Sequence, residues 1–190
     1  MTNHEIVVIG TSLGGLQALK ILLSGLPKGF PLPIVIVQHR KEGTEDILTG
    51  LLQKECELPV IEPEDKMEIE PGKVYIAPCD YHLLVERGSF AFSVEAKVLG
   101  SRPSIDVLFE SAADAYAERT IGIILTGNSK DGACGLARIK ERGGLAVVQE
   151  PASAEAEIMP DAAIRAVKAD KILPLSEISC YLTQLIIGYK

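Results

Sequence analysis

The amino-acid sequence predicts an α/β fold: a three-layer αβα sandwich around a mainly parallel, doubly wound sheet, with one β-hairpin excursion. Short apolar runs rich in β-branched residues alternate with amphipathic stretches over most of the 190 residues. Such runs are typical of parallel strands that are buried on both faces. A pair of short strand-like segments interrupts this order once, which predicts the hairpin. No linker, repeat or low-complexity tract divides the pattern, so we expect a single domain over residues 1–190.

Two strand–helix units open the chain. The run IVVI at residues 6–9 predicts a buried strand, and residues 15–23 predict a helix with Leu16 among the four leucines of its apolar face. The glycine and proline of SGLPKG end that helix. The run PIVIVQH at residues 33–39 predicts the second buried strand, and Thr44 is expected to cap the helix after it.

Short strands predominate in the middle of the chain, and the strand–helix alternation then returns. Residues 72–78 predict one strand, and residues 82–88 and 89–95 predict a hairpin around the turn ERGS. Beyond the hairpin the pattern predicts helices over 104–118, 132–142, 160–169 and 175–186, and strands over 121–126 and 145–149. This alternation places helices on both faces of a parallel sheet.

Composition and charge argue against several classes of function. A net charge of −7 disfavours binding to nucleic acid or to anionic lipid, so neither partner is expected. No apolar stretch approaches the roughly 20 residues that cross a bilayer, and nothing resembles a signal peptide, which indicates a cytoplasmic protein without membrane insertion. Scattered cysteines without a CxxC pair predict reduced, buried thiols and no metal site: Cys56, Cys79, Cys134 and Cys180.

The turn GTSLGG at residues 10–15 admits three interpretations. It lies where a dinucleotide-binding fingerprint would, with Arg40 facing the 2′-phosphate of NADP, although Ser12 replaces the glycine that lets the backbone approach a pyrophosphate. It is also compatible with a plain glycine turn in which Ser12 caps the helix. The third interpretation is a nucleophile elbow, because Gly10 to Gly14 match Gly-x-Ser-x-Gly in the strand–turn–helix context of that motif.

Polar residues at the ends of other predicted strands favour the nucleophile elbow. His39 follows the second buried strand, and Asp131 follows the strand over residues 121–126. Sites in open parallel sheets form at the carboxyl ends of the strands. Ser12, His39 and Asp131 are therefore expected to meet there as nucleophile, base and orienting acid. Their chain order disfavours an ordinary α/β-hydrolase, but a triad is defined by its geometry and not by its order.

Two of these residues also have a purely structural interpretation. His39 is compatible with a hydrogen-bonded core histidine, and Asp131 with an N-cap for the helix over 132–142. Among the other histidines, His4 precedes the first strand, at the opposite edge of the sheet, and His82 opens the hairpin. Both are expected in solvent or structural roles.

Six blocks of sequence carry a family resemblance. In chain order they are VVIGTSLGGLQAL, VIVQH, VYIAPCDYHLLV, SRPSIDVLFESAADAY, IILTGNSKDGACGL and GGLAVVQEPASAEAEIMPDAAI. From about residue 6 to residue 185 the chain thus resembles the catalytic domain of the chemotaxis protein-glutamate methylesterases, the CheB family. The resemblance implies hydrolysis of γ-glutamyl methyl esters on the cytoplasmic helices of chemoreceptors, with deamidation of some receptor glutamines. No metal or organic cofactor is needed for this reaction, and the sequence suggests none.

By the same resemblance, Ser12 is the nucleophile, His39 the base and Asp131 the orienting acid. The oxyanion donors are expected to be backbone N–H groups at Leu13 and Asn128.

The chain departs from the family pattern in three places. The family's Gly-Met-Gly-x-Asp-Gly reads Gly-Asn-Ser-Lys-Asp-Gly here, with Asn128 and Ser129 in place of the methionine and the second glycine. The proline that usually follows the histidine is absent from HRKEGTE. Only five residues precede the first strand, so no receiver domain is expected. Activity is then either constitutive or controlled by another chain, for example a separate receiver or signalling protein.

The altered loop leaves two alternatives open. One is a catalytically impaired binding domain of the same fold, and the other is an esterase or amidase that acts on another substrate. Arg40, Lys41 and Arg102 are candidates for a receptor-facing patch, although solvated surface charges explain them equally well. Arg102 can equally tie down the loop before the helix over 104–118.

Overall fold

A computed structural model describes residues 4–40 and 47–188. Seven strands form one parallel sheet: β1 (Ile6–Thr11), β2 (Ile34–Gln38), β3 (Val60–Ile61), β4 (Val74–Ile76), β7 (Thr120–Ile124), β8 (Leu145–Gln149) and β9 (Lys171–Leu173). Their spatial order is β3-β4-β2-β1-β7-β8-β9. The central strand β1 pairs with β2 on one side and β7 on the other. The strand order therefore reverses at β1, which is where open α/β sheets place their sites.

Helices cover both faces of this sheet: α1 (Gly15–Ser24), α2 (Leu48–Gln53), α3 (Ile105–Tyr116), α4 (Ala133–Glu141), α5 (Ile158–Ala166) and α6 (Leu175–Ile187). One apolar core lies between the sheet and α1, α2 and α6, and a second lies between the sheet and α3, α4 and α5. Alternate residues of β1 divide between the cores, Val7 and Ile9 in the first and Ile6 and Val8 in the second. The predicted three-layer sandwich is confirmed.

The hairpin is also present. Its strands β5 (His82–Glu86) and β6 (Ser89–Ser93) pair antiparallel around the predicted turn. The hairpin packs against α3, where the hydroxyl of Ser111 accepts a hydrogen bond from the backbone N–H of Val85 at 3.0 Å. Leu83, Val85 and Phe90 of the hairpin belong to the second core.

The structure corrects the sequence-based prediction at several elements. The edge strands β3 and β9 were not predicted, because two or three residues are too few to show an alternating pattern. The predicted apolar face of α1 is wrong at Leu16, which is 36% exposed. The buried stripe of α1 consists of Gly15, Ala18, Leu19, Leu22 and Leu23. Thr44, the expected cap of α2, lies outside the described residues.

The cysteines are only partly as expected. No disulfide joins the four cysteines in the described part of the chain. Cys56 is buried, but Cys134 and Cys180 are exposed on their helices. Within residues 4–40 and 47–188, no helix combines the length and the apolar character needed to cross a membrane.

Candidate active site

Ser12 lies in a tightly anchored turn between β1 and α1. Its backbone N–H donates to the carbonyl of Thr126 at 3.0 Å. Its carbonyl accepts hydrogen bonds from the N–H of Gly15 at 2.9 Å and from the side-chain amide of Gln38 at 2.8 Å. Gly14 adopts a φ of 78°, in the left-handed region that glycine tolerates best. The half-buried serine is thus held by the ends of both neighbouring strands.

The loop after β7 approaches Ser12 without any side chain between them. A Cβ atom added to Gly127 would lie 2.9 Å from the Cβ of Ser12, so only glycine fits this position without a shift. Gly127 donates its N–H to the carbonyl of Ala156 at 3.0 Å and accepts from the N–H of Met159 at 2.9 Å. Asn128, one of the two expected oxyanion donors, is the next residue and is exposed.

His39 lies directly after β2 and contacts Asp131, as predicted. Its backbone N–H donates to the carbonyl of Thr11 at 3.0 Å, which extends the strand ladder by one residue. Its Nε2 atom lies 2.7 Å from Oδ2 of Asp131. Because Asp131 occupies Nε2, the other ring nitrogen, Nδ1, is the one left to act on a neighbouring group.

Asp131 is fully buried at the N-terminus of α3. Besides His39, it accepts hydrogen bonds from the hydroxyl of Ser104 at 2.8 Å and from the backbone N–H groups of Ile105 at 2.7 Å and Asp106 at 3.0 Å. Burial on its own would raise the pKa of Asp131, but these hydrogen bonds outweigh it and hold the pKa below its ordinary value. The carboxylate is therefore ionised at neutral pH.

The alternative in which Asp131 merely caps the helix that follows it is wrong. Gly132 occupies the N-cap position of α4, with a φ of 98° and no side chain to offer. Asp131 instead caps α3, next to the N-cap residue Ser104, whose side chain accepts from Val107 N. The partial positive charge at the start of α3 also favours an ionised carboxylate.

Ser12 and His39 line the same cleft, whose volume is about 510 Å³. The other lining residues are Leu13, Gly14, Gly15, Leu16, Gln17, Gln38 and Glu155. Among the described residues of this lining, Glu155 carries the only carboxylate, and its side chain lies against Gly14. The cleft combines a hydroxyl, an imidazole and a backbone turn at the start of a helix. These are the groups that acyl transfer to a serine requires.

Several supporting residues were not predicted from the sequence. Gln38 links the turn to the site, since its amide Nε2 donates both to Ser12 O and to His39 O. Ser104 was expected only as the first residue of a helix, and His82 fixes it by accepting its N–H at Nδ1, 3.2 Å away. His82 is 1% exposed, in keeping with a structural role. The sequence signal that was available is position: Gln38 directly precedes the predicted base.

Two residues of the candidate basic patch, Arg40 and Arg102, donate hydrogen bonds to backbone carbonyls of nearby loops. Nη1 of Arg102 donates to the carbonyls of Val94 and Glu95 at 2.9 and 3.0 Å, which matches the loop-tying alternative. Nη2 of Arg40 donates to the carbonyl of Ala77 at 3.0 Å. Lys41 lies outside the described residues.

Comparison with known proteins identifies the family. A family model described as CheB methylesterase matches residues 7–182. The protein-glutamate methylesterase FrzG of Myxococcus xanthus is 41% identical over 95% of this chain. A protein-glutamate methylesterase/protein-glutamine glutaminase of Thermotoga maritima is 39% identical over 97% of it. The chain spans only 54% and 55% of these two relatives, but 92% of a Leptospira interrogans relative that is 49% identical over 93% of the chain.

A solved structure agrees with this assignment. The crystal structure of the Thermotoga maritima CheB methylesterase catalytic domain matches with a TM-score of 0.92 and 38% sequence identity, over 96% of this chain and 99% of that chain. None of these relatives supports the dinucleotide-binding interpretation of the turn at Ser12. The chain belongs to the CheB methylesterase family.

Proposed function

We propose that this protein is a serine hydrolase that removes methyl esters from glutamate side chains of chemoreceptors, and that it also deamidates receptor glutamines. The observation that carries the proposal is the 2.7 Å contact of His39 with a buried, ionised Asp131 in the same site as Ser12. The names of the relatives supply the substrate class. Chemoreceptor cytoplasmic helices are then the partner and the cytoplasm is the place of action.

The first half of the reaction acylates Ser12. His39 takes the hydroxyl proton at Nδ1, because Nε2 is bound to Asp131, while Ser12 Oγ attacks the ester carbonyl carbon. The tetrahedral intermediate collapses as His39 returns the proton to the methoxy oxygen. The carbon–oxygen bond breaks, methanol leaves, and a glutamyl ester on Ser12 remains.

The second half hydrolyses that ester. Water loses a proton to His39 and adds to the carbonyl, and the proton then returns to Ser12 Oγ as the glutamate carboxylate departs. Asp131 holds the imidazole in one tautomer and stabilises its cationic form. The N–H groups of Leu13 and Asn128 serve as oxyanion donors, each worth a few kcal/mol when well aimed. A glutamine substrate follows the same path with ammonia as the leaving group.

The altered loop around Asn128 is compatible with activity. The hydroxyl of Ser129 accepts a hydrogen bond from the N–H of Asp131 at 3.1 Å, so this departure from the family pattern supports the position of the acid. We further propose that residues 1–190 act as one methylesterase domain.

The test is methanol release from methylated receptor. The wild type should release methanol, and Ser12→Ala should remain folded and release none, because the acyl-enzyme cannot form. Ser24→Ala is the matched control, since Ser24 is an exposed serine at the end of α1 whose hydroxyl donates a local hydrogen bond to Ile21 O. Full turnover by folded Ser12→Ala would refute the proposed nucleophile.

Two further measurements separate the alternatives. A serine-directed phosphonate should label Ser12, whereas an impaired binding domain should not react. Hydrolysis of simple methyl esters without release from receptor would indicate an esterase for another substrate.

A further inference from the structure

Asp106 is a buried carboxylate that the mechanism above leaves without a role. It is the second residue of α3, and it is 6% exposed. Its Oδ1 atom accepts hydrogen bonds from the backbone N–H groups of Gly132 at 2.9 Å and Gly135 at 2.7 Å. These N–H groups belong to the first turn of α4, whose own N-cap residue is a glycine. Asp106 therefore caps α4 from the neighbouring helix.

The capping is reciprocal. Asp131, immediately before α4, accepts the first N–H groups of α3, and Asp106, in the first turn of α3, accepts those of α4. The backbone of Asp106 is bonded to the carboxylate of Asp131, since the N–H of Asp106 donates to Oδ1 of Asp131 at 3.0 Å. Asp131 in turn contacts His39. The carboxyl group of Asp131 thus lies next to the imidazole of His39, and that of Asp106 lies behind Asp131.

The surroundings of Asp106 oppose its charge. Burial, followed by the charges of Asp131 and of Glu110 on α3, raises the pKa of Asp106 to about 6, although the hydrogen bonds from α4 lower it. The other titratable groups around this pair are Cys134 at the start of α4, whose pKa the charge of Asp106 raises, and His39 beyond Asp131. When folding raises the pKa of a carboxyl group in this way, the folded protein loses stability as the pH rises through about 4 to 6. At pH 7 Asp106 is therefore ionised although its charge destabilises the fold. Residues that cost stability in this way are typical of functional sites.

We propose that Asp106 is a positioning residue for the hydrolytic reaction, whose ionised carboxylate holds the loop of Asn128 and Asp131 and supports the imidazolium of His39 from behind Asp131. It touches neither the substrate nor the reacting atoms. The inference rests on the proposed function for the reaction. Its effect on the Ser12–His39 pair is independent of which ester is cleaved.

The test is Asp106→Asn, which keeps an acceptor at Oδ1 and removes the charge. We measure kcat/KM for methyl ester hydrolysis and the rate of phosphonate labelling of Ser12 between pH 5 and 8, together with Tm at pH 7. The acid limb of both profiles should move to lower pH, because above about pH 6 the wild type has a negative charge near the imidazolium that the variant lacks. The plateau rate should fall several-fold, and Tm should stay level or rise.

Asp114→Asn is the matched control. Asp114 also joins α3 to α4, through Arg138 at 3.0 Å and Arg142 at 2.7 Å. It is exposed and lies eight residues further along α3, about 12 Å from Asp106. This variant should leave both pH profiles unchanged.

Several outcomes would overturn the inference. If Asp106→Asn kept the plateau rate and the acid limb of the wild type, the charge of Asp106 would have no part in the reaction. A joint loss of Tm and activity would make Asp106 a cap for folding alone. A wild type that is labelled but releases no methanol would refute the proposed function while the labelling profile still decides about Asp106. A wild type that is not labelled would overturn both.

Discussion

At the scale of single residues, the orientation of His39 depends on Asp131 more than on any contact with Ser12. Within the described residues no hydrogen bond joins Ser12 Oγ to His39, while the 2.7 Å contact from Nε2 to Asp131 fixes the ring. Catalytic hydrogen bonds to the nucleophile often form only when substrate excludes water. The buried acid is therefore the residue on which the readiness of the base depends.

Asp131→Asn should reduce kcat by about 10³- to 10⁴-fold, because the amide favours the wrong imidazole tautomer. Its NH₂ group would also face donors from Ser104, Ile105 or Asp106. Since hydrogen bonds to a charged group contribute about 1.5–3 kcal/mol each, Tm should fall as well. Methanol release and thermal unfolding at pH 7 measure both effects. Near-normal kcat in a folded variant would remove Asp131 from the proposed triad.

The same variant tests the pH dependence of stability. The pKa of Asp131 is depressed in the folded state, so its contribution is present above the ordinary carboxyl value of about 4 and is lost as the pH falls below it. The Tm difference between wild type and Asp131→Asn should therefore narrow below about pH 4. A difference that stayed constant from pH 7 to pH 3 would contradict an ionised Asp131 in the folded protein.

At the scale of elements, the sequence predicted the strands that carry the site but not the pairing of the helices behind it. The runs that became β1 and β2 placed Ser12 and His39 correctly, because strand direction alone brings their ends to one edge. The reciprocal capping of α3 and α4 was missed, because it joins residues 25 or more positions apart. Capping rules read from a sequence consider only neighbouring residues.

The loop after β7 gives the prediction for this scale. Gly127→Ala would place a Cβ atom 2.9 Å from Ser12 Cβ and 2.7 Å from the flexible end of Met159. Met159 can move aside, but the anchored turn of Ser12 has to shift, so kcat should fall about 10- to 100-fold. Overpacking of this kind lowers the free energy of unfolding by roughly 1–3 kcal/mol, so Tm should fall by a few degrees while the protein stays folded. Gly29→Ala is the control, because nothing lies within 4 Å of its added Cβ.

At the scale of the whole molecule, the net charge is expected to affect the rate of encounter with receptor but not the rate of the chemical step. The protein carries a net charge of −7, and Glu155 adds a carboxylate to the described lining of the cleft. A methylated glutamate is neutral, but the receptor segments around it are expected to be acidic. Long-range repulsion should then slow the encounter without changing the acylation step.

Added salt should therefore accelerate the reaction with receptor. Between about 10 mM and 150 mM salt the Debye length falls from about 30 Å to about 8 Å, which screens repulsion between the two acidic surfaces. We expect kcat/KM for methylated receptor to rise about threefold over this range, while kcat/KM for a small uncharged methyl ester stays constant. Steady-state methanol release with the two substrates measures the contrast. A receptor rate that fell with salt would show that a basic surface steers the encounter, against the net charge of the molecule.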